Sequence, residues 1–130
     1  MGIDAQCYAY TDYVQLVHDL QPYRIAKDNM AVIGYSLGAG TAEAYQLNYK
    51  LDLLICLDPS QLGYNYNVVK GNTKRSILWT ESNPFSGPLG HAVPKGFDVV
   101  KVSQSVHLWI DLDPVIVGDV LGELRALKER

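Results

Sequence analysis

The sequence predicts an α/β domain, a three-layer sandwich around a mostly parallel sheet of about four strands. Three observations carry that expectation. Apolar runs of strand length recur at 30–35, 51–57, 75–80 and 97–102, and such unbroken runs suit parallel strands covered on both faces. Segments with helical spacing stand before, between and after them, as crossover connections require. Finally, a serine between two glycines, Gly34-Tyr35-Ser36-Leu37-Gly38, marks the junction of the first run with a helix. At 130 residues the chain falls in the usual size range of one domain, and residues 1–130 are read as such.

Residues 1–9 show no period, and Met1 to Asp4 reads as the end of a loop. From Thr11-Asp12, the residues Tyr13, Val17 and Leu20 share one helical face, with Asp12 at the positive end of the helix dipole. The spacing predicts a helix of about ten residues, ended before Pro22. Met30–Tyr35 is the first strand, and Leu37–Tyr49, with Ala39, Ala42 and Ala44, is a helix small enough on one side to pack closely on a sheet. Leu51–Leu57 is the second strand, closed by Asp58-Pro59 because proline has no N–H for a sheet ladder. Gln61–Asn67 reads as a loop, and Val68–Thr73 is too short and mixed to assign. Arg75–Thr80 is the third strand. Asn83–Lys95, with three prolines, is a long loop of the kind that usually carries function or moves. Phe97–Val102 is the fourth strand, followed by a turn into His107. The last helix starts with Asp113 as N-cap and Pro114 in the first turn; Val115, Val117, Val120, Leu121 and Leu124 form its apolar face, and it ends in Lys128, Glu129 and Arg130.

Composition narrows the function. With a net charge of -3 there is no basic stripe to follow a phosphate backbone, which argues against nucleic acid. An uncharged or weakly polar small molecule fits better. The 48% apolar and 19% charged residues are ordinary for a globular domain. No run approaches the roughly 20 apolar residues of a membrane helix, and no leader-like segment opens the chain, so a soluble cytoplasmic protein is expected. Cys7 and Cys56 are distant in sequence, and Cys56 lies in an apolar strand, so no disulfide framework is expected. No clustered ligand motif calls for a metal, and no cofactor is expected.

The G-x-S-x-G turn is a nucleophile elbow in form: the serine is held in a strained backbone at the tip of a strand, and the glycines leave room where strand and helix meet. A serine hydroxyl needs a base to take its proton and a third group to orient that base. Of the three histidines, His107 follows the last strand and so lies at the carboxyl edge of a parallel sheet, where Ser36 also emerges. His18 sits in the first helix and reads as solvated; His91, in the long loop, is the lesser candidate for the base. For the acid, Asp58 closes the strand after the serine helix, again at the carboxyl edge, with a simple turn-closing role as the plain alternative. Glu81, just past the third strand, competes with it, whereas Asp98 begins a strand and belongs to the opposite edge.

These residues resemble the α/β-hydrolase family, whose esterases, lipases and thioesterases carry serine, acid and histidine in that chain order; Ser36, Asp58 and His107 keep it. Leu57-Asp58-Pro59 resembles the acid site of family members that place the acid directly after the strand following the nucleophile. The resemblance covers residues 30–127. It implies a serine hydrolase cleaving a carboxylic ester or thioester, with the Leu37 amide as one oxyanion donor. Tyr35, Tyr64, Tyr66, Phe85 and Trp109 are its candidates for an apolar acyl pocket. In the family several strands precede the elbow, one of them followed by the loop with the second oxyanion donor; here at most a helix precedes it. The resemblance therefore implies a shortened core, and two expectations follow. Met30–Tyr35 becomes an open sheet edge that invites pairing, read as covered by a homodimer contact or by a complex. The alternative function is a catalytically weak or inactive hydrolase-like domain that keeps the elbow for folding and serves as a binding or structural module.

Overall fold

A computed structural model describes residues 3–129; the readings made for Met1, Gly2 and Arg130 lie outside them. Four strands, β1 (Ala31–Tyr35), β2 (Leu51–Leu57), β3 (Thr73–Glu81) and β4 (Val99–Ser103), form one sheet in the order β1-β2-β3-β4. Every neighbouring pair is parallel. Helices α1 (Tyr13–Ile25), α2 (Leu37–Asn48) and α3 (Pro114–Lys128) flank it. Among the described residues no helix is long and apolar enough to cross a membrane.

Side-chain alternation from Leu53 to Leu57 of β2 explains why the sheet is covered on both sides. Leu51, Leu54, Cys56 and, from β3, Leu78 pack with Val32, with Leu16 of α1 and with Ala39, Ala42 and Tyr45 of α2. Leu53, Ile55, Leu57, Ile77 and Trp79 point the other way, onto Ile110, Ile116 and Leu127. Polar clamps add direction to the second layer: Arg75 makes two 2.8 Å hydrogen bonds to Glu123, and Asp119 accepts from both Trp79 Nε1 and Lys101 Nζ.

Four local expectations are corrected. α1 runs through Pro22 and ends at Ile25, because a proline in the last turn of an exposed helix removes a single backbone bond. Lys27, at φ 59°, then stops it, its amide bonding Arg24 O while Asp28 N bonds Tyr23 O, a left-handed cap. The inward face of α3 is Ile116, Val120, Leu124 and Leu127; Val115, Val117 and Leu121 are exposed, since residues four apart, not the densest valines, share a helical face. β4 starts at Val99 rather than Phe97, for Asp98 is engaged in bonding Ser76 N and Oγ at the amino end of the sheet. The long loop contains a short 3-10 helix, Pro84–Leu89, kinked at Gly87. At the start of α3 the Asp113 carboxylate accepts from Val115 N, with Pro114 in the first turn.

β1 is an edge strand. Ser36 N bonds Leu57 O, and Met30 O accepts from Leu53 N, so the even-numbered residues face β2 and the backbone groups of Ala31, Ile33 and Tyr35 face outward. They open into a cleft of about 1400 Å³ that lies between residues 3–10 with α1 on one side and Leu124, Leu127 and Lys128 on the other, and that reaches Ser36 and Leu37.

Candidate active site

Ser36 sits between β1 and α2 with φ 58° and ψ -121°, a left-handed backbone that a serine adopts only when its surroundings impose it. The imposition is visible on both sides. Ser36 N is tied to Leu57 O, and Ser36 O accepts from Ala39 N and Ser60 N. A Cβ at Gly34 would stand 2.5 Å from Gly38 O and 2.6 Å from the Ala39 Cα, so only glycine fits there. The other motif glycine differs from expectation: a Cβ at Gly38 would meet nothing within 4 Å. The second close approach occurs instead at Gly40, where a Cβ would lie 2.0 Å from Tyr64 O.

Asp58 is the first residue beyond β2 and is wholly buried, with φ 43° and its amide 2.6 Å from Trp79 O. His107, buried as well, opens a short 3-10 helix after β4, where Ser86 Oγ accepts its backbone amide at 2.7 Å. The parallel sheet thus delivers the ends of β1 and β2 and the connection after β4 to one edge. There His107 Nδ1 is 2.6 Å from Asp58 Oδ2, and His107 Nε2 is 2.8 Å from Ser36 Oγ. An ionised carboxylate only accepts, so Nδ1 carries the proton and Nε2 is left as acceptor for the serine hydroxyl. Residues far apart in the chain form one hydrogen-bonded run.

Glu81 does not reach His107; its carboxylate lies 2.5 Å from His91 Nε2 and accepts from Asn83 N. His91 is accordingly paired with Glu81, although its backbone amide donates to Asp58 Oδ1 at 2.9 Å. His18 is exposed on α1 beside Asp19. Leu37 opens α2, where a helix amide has no acceptor within its own helix. Of the aromatic candidates, Phe85, Tyr64 and Trp109 are exposed, Phe85 to 91%. Tyr64 and Tyr66 line an adjoining apolar hollow of about 600 Å³ that shares Leu37 and Thr41 with the large cleft.

Tyr35 has a role the sequence reading missed. Its ring stacks on the His107 imidazole with centroids 5.2 Å apart and planes 22° from parallel, and its hydroxyl donates to His107 O at 2.5 Å. Burial pushes its hydroxyl pKa up to about 12, with Asp111 and Asp58 adding to the effect, so it stays a donor at neutral pH. Its position inside the motif was the available signal. Ser86 offered none, since the loop that carries it has no period.

Comparison with family models, curated proteins and solved structures finds no match. Both cysteines are free thiols. Among the described residues no group of three or more His, Cys, Asp or Glu side chains is arranged to hold a metal ion.

Behind the serine helix lies a second buried carboxyl. Glu43 of α2 accepts from Tyr66 N through Oε1 at 2.9 Å, while Oε2 has no hydrogen-bond partner. Burial raises its pKa to about 7, against smaller opposing effects of the Tyr66 amide and Cys56. With Gln46, which bonds Asn67 O and Val69 N, it fastens the 61–72 segment to α2.

Proposed function

We propose that this chain is a serine hydrolase of the α/β-hydrolase type that cleaves a carboxylic ester or thioester through an acyl-enzyme. The observation that supports it is the run Ser36 Oγ to His107 Nε2 and His107 Nδ1 to Asp58 Oδ2, at 2.8 and 2.6 Å, ending on a serine in a left-handed backbone. Ser36 Oγ attacks the carbonyl carbon as Nε2 takes its proton. Asp58 orients the ring and stabilises the imidazolium. The oxyanion is held by the Leu37 amide at the helix start. On collapse the bond to the leaving alcohol or thiol breaks and Nε2 returns the proton to it. Water, deprotonated by the same nitrogen, then releases the acid and restores Ser36.

The test is labelling by a fluorophosphonate probe followed by mapping of the adduct. Modification at Ser36 that is lost in Ser36→Ala is expected, together with loss of hydrolysis of short p-nitrophenyl esters. An unlabelled Ser36 would leave the other reading, a binding module that keeps the turn for folding.

The same proposal extends to assembly. The outward N–H and C=O groups of Ala31, Ile33 and Tyr35 are free to pair with β1 of a second copy, and an antiparallel pairing centred on Ile33, 41% exposed, satisfies two-fold symmetry.

A further inference from the structure

Beside the serine–histidine–aspartate run stands a second carboxylate–imidazole pair that lies outside that run. Glu81 ends β3, its side chain fully buried, and His91 lies across the loop that follows. A buried carboxylate must be compensated. One Glu81 oxygen accepts from Asn83 N at 2.7 Å; the other lies 2.5 Å from His91 Nε2, in close contact although no hydrogen bond joins the two atoms.

His91 has φ 68°, a conformation that costs a non-glycine residue energy and persists only where the surroundings hold it. Its amide is thereby aimed at Asp58 Oδ1, at 2.9 Å, the oxygen that His107 does not use. The fit allows no slack: a Cβ on the preceding Gly90 would lie 2.0 Å from Asp58 Oδ2. Ala92 N on Pro59 O closes the same contact from the other side.

We propose that the Glu81–His91 pair is a positioning device: by holding His91 in its strained backbone it keeps the His91 amide on Asp58 Oδ1 and so presents Asp58 Oδ2 to His107. Each carboxylate then has a distinct task, Asp58 to orient His107 and Glu81 to orient the residue that orients Asp58. The kinetic consequence rests on the hydrolase reading; the geometric one does not.

Two variants of the full chain test it. Glu81→Gln removes the charge at nearly constant shape, and His91→Ala removes the imidazole while keeping a Cβ, for which positive φ is strained. The direct readout is the low-field NMR resonance of the His107 Nδ1 proton. It is expected to move upfield or broaden through faster exchange in both variants. Labelling of Ser36 by the fluorophosphonate should slow about tenfold, less than the hundredfold that a 1 Å misplacement costs, and KM for a short ester should hold while kcat falls. An unchanged resonance in either variant overturns the proposal. If wild-type Ser36 does not label, the hydrolase reading fails while the resonance still decides the positioning role.

Discussion

Tyr35 and His107 are joined twice, by a ring stack with centroids 5.2 Å apart and by a hydroxyl-to-carbonyl hydrogen bond. The residue just before the serine therefore holds the ring that faces the serine. Tyr35→Phe keeps the stack and loses the bond to the carbonyl, so ester hydrolysis should fall only a few-fold, in line with about 1 kcal/mol for one hydrogen bond. Tyr35→Ala loses both and should lose at least tenfold more. Equal effects of the two variants on kcat would show that the stack contributes nothing.

Asp58→Asn should be far more damaging to catalysis than to folding. An asparagine amide can donate to Nδ1, which shifts the proton to Nε2 and leaves no acceptor for the Ser36 hydroxyl. A loss of roughly 10⁴ in kcat is expected, measured on the same p-nitrophenyl esters, with a melting temperature that changes little by comparison.

The two motif glycines should behave oppositely. Gly34→Ala would drive a methyl group into Gly38 O and Ala39, and overpacking of this kind costs about 1–3 kcal/mol or more. Gly38→Ala meets open space inside α2 and should be neutral or stabilising by up to about 1 kcal/mol. Thermal unfolding of both variants checks the contrast.

Stability should fall as pH rises through the range set by Glu43. Its pKa is raised by burial from 4.5 to about 7 in the folded chain, so the native state binds the proton more tightly than the unfolded one. The contribution is complete below pH 4.5 and lost by about pH 7, on the order of 3 kcal/mol. Glu43→Gln, which keeps an acceptor for Tyr66 N, should flatten that slope in chemical denaturation measured from pH 4.5 to 8. A slope unchanged by the substitution would remove Glu43 as its source.

Edge pairing predicts a dimer in light scattering, with slow hydrogen exchange at the amides of Ala31, Ile33 and Tyr35. Asp4, Asp19 and Asp28 outnumber Lys128 along the cleft beside that edge, so added salt should favour association by screening the net repulsion across a two-fold axis. Monomers whose three outward amides exchange freely would refute the pairing.

Local chemistry was enough to read the α/β class, the strand runs at β1, β2 and β3, the turn at Ser36 and the Asp113-Pro114 helix start. Apolar run length, glycine at a crowded turn and a capping carboxylate each act within a few residues. Chain order and sheet direction also put Asp58, Glu81 and His107 at the edge where Ser36 emerges, because strand ends in a parallel sheet share one edge. What only the tertiary structure decided depends on contacts between distant segments. The sequence left Glu81 and His91 as competitors for acid and base; packing at the sheet edge pairs them with each other and puts the His91 amide on Asp58. It cast Tyr35 as a pocket residue, and the fold turns that ring onto His107. The face of α3 and the need for glycine at Gly40 likewise follow from what lies opposite, a sheet in one case and the Tyr64 carbonyl in the other, and neither neighbour is adjacent in the chain.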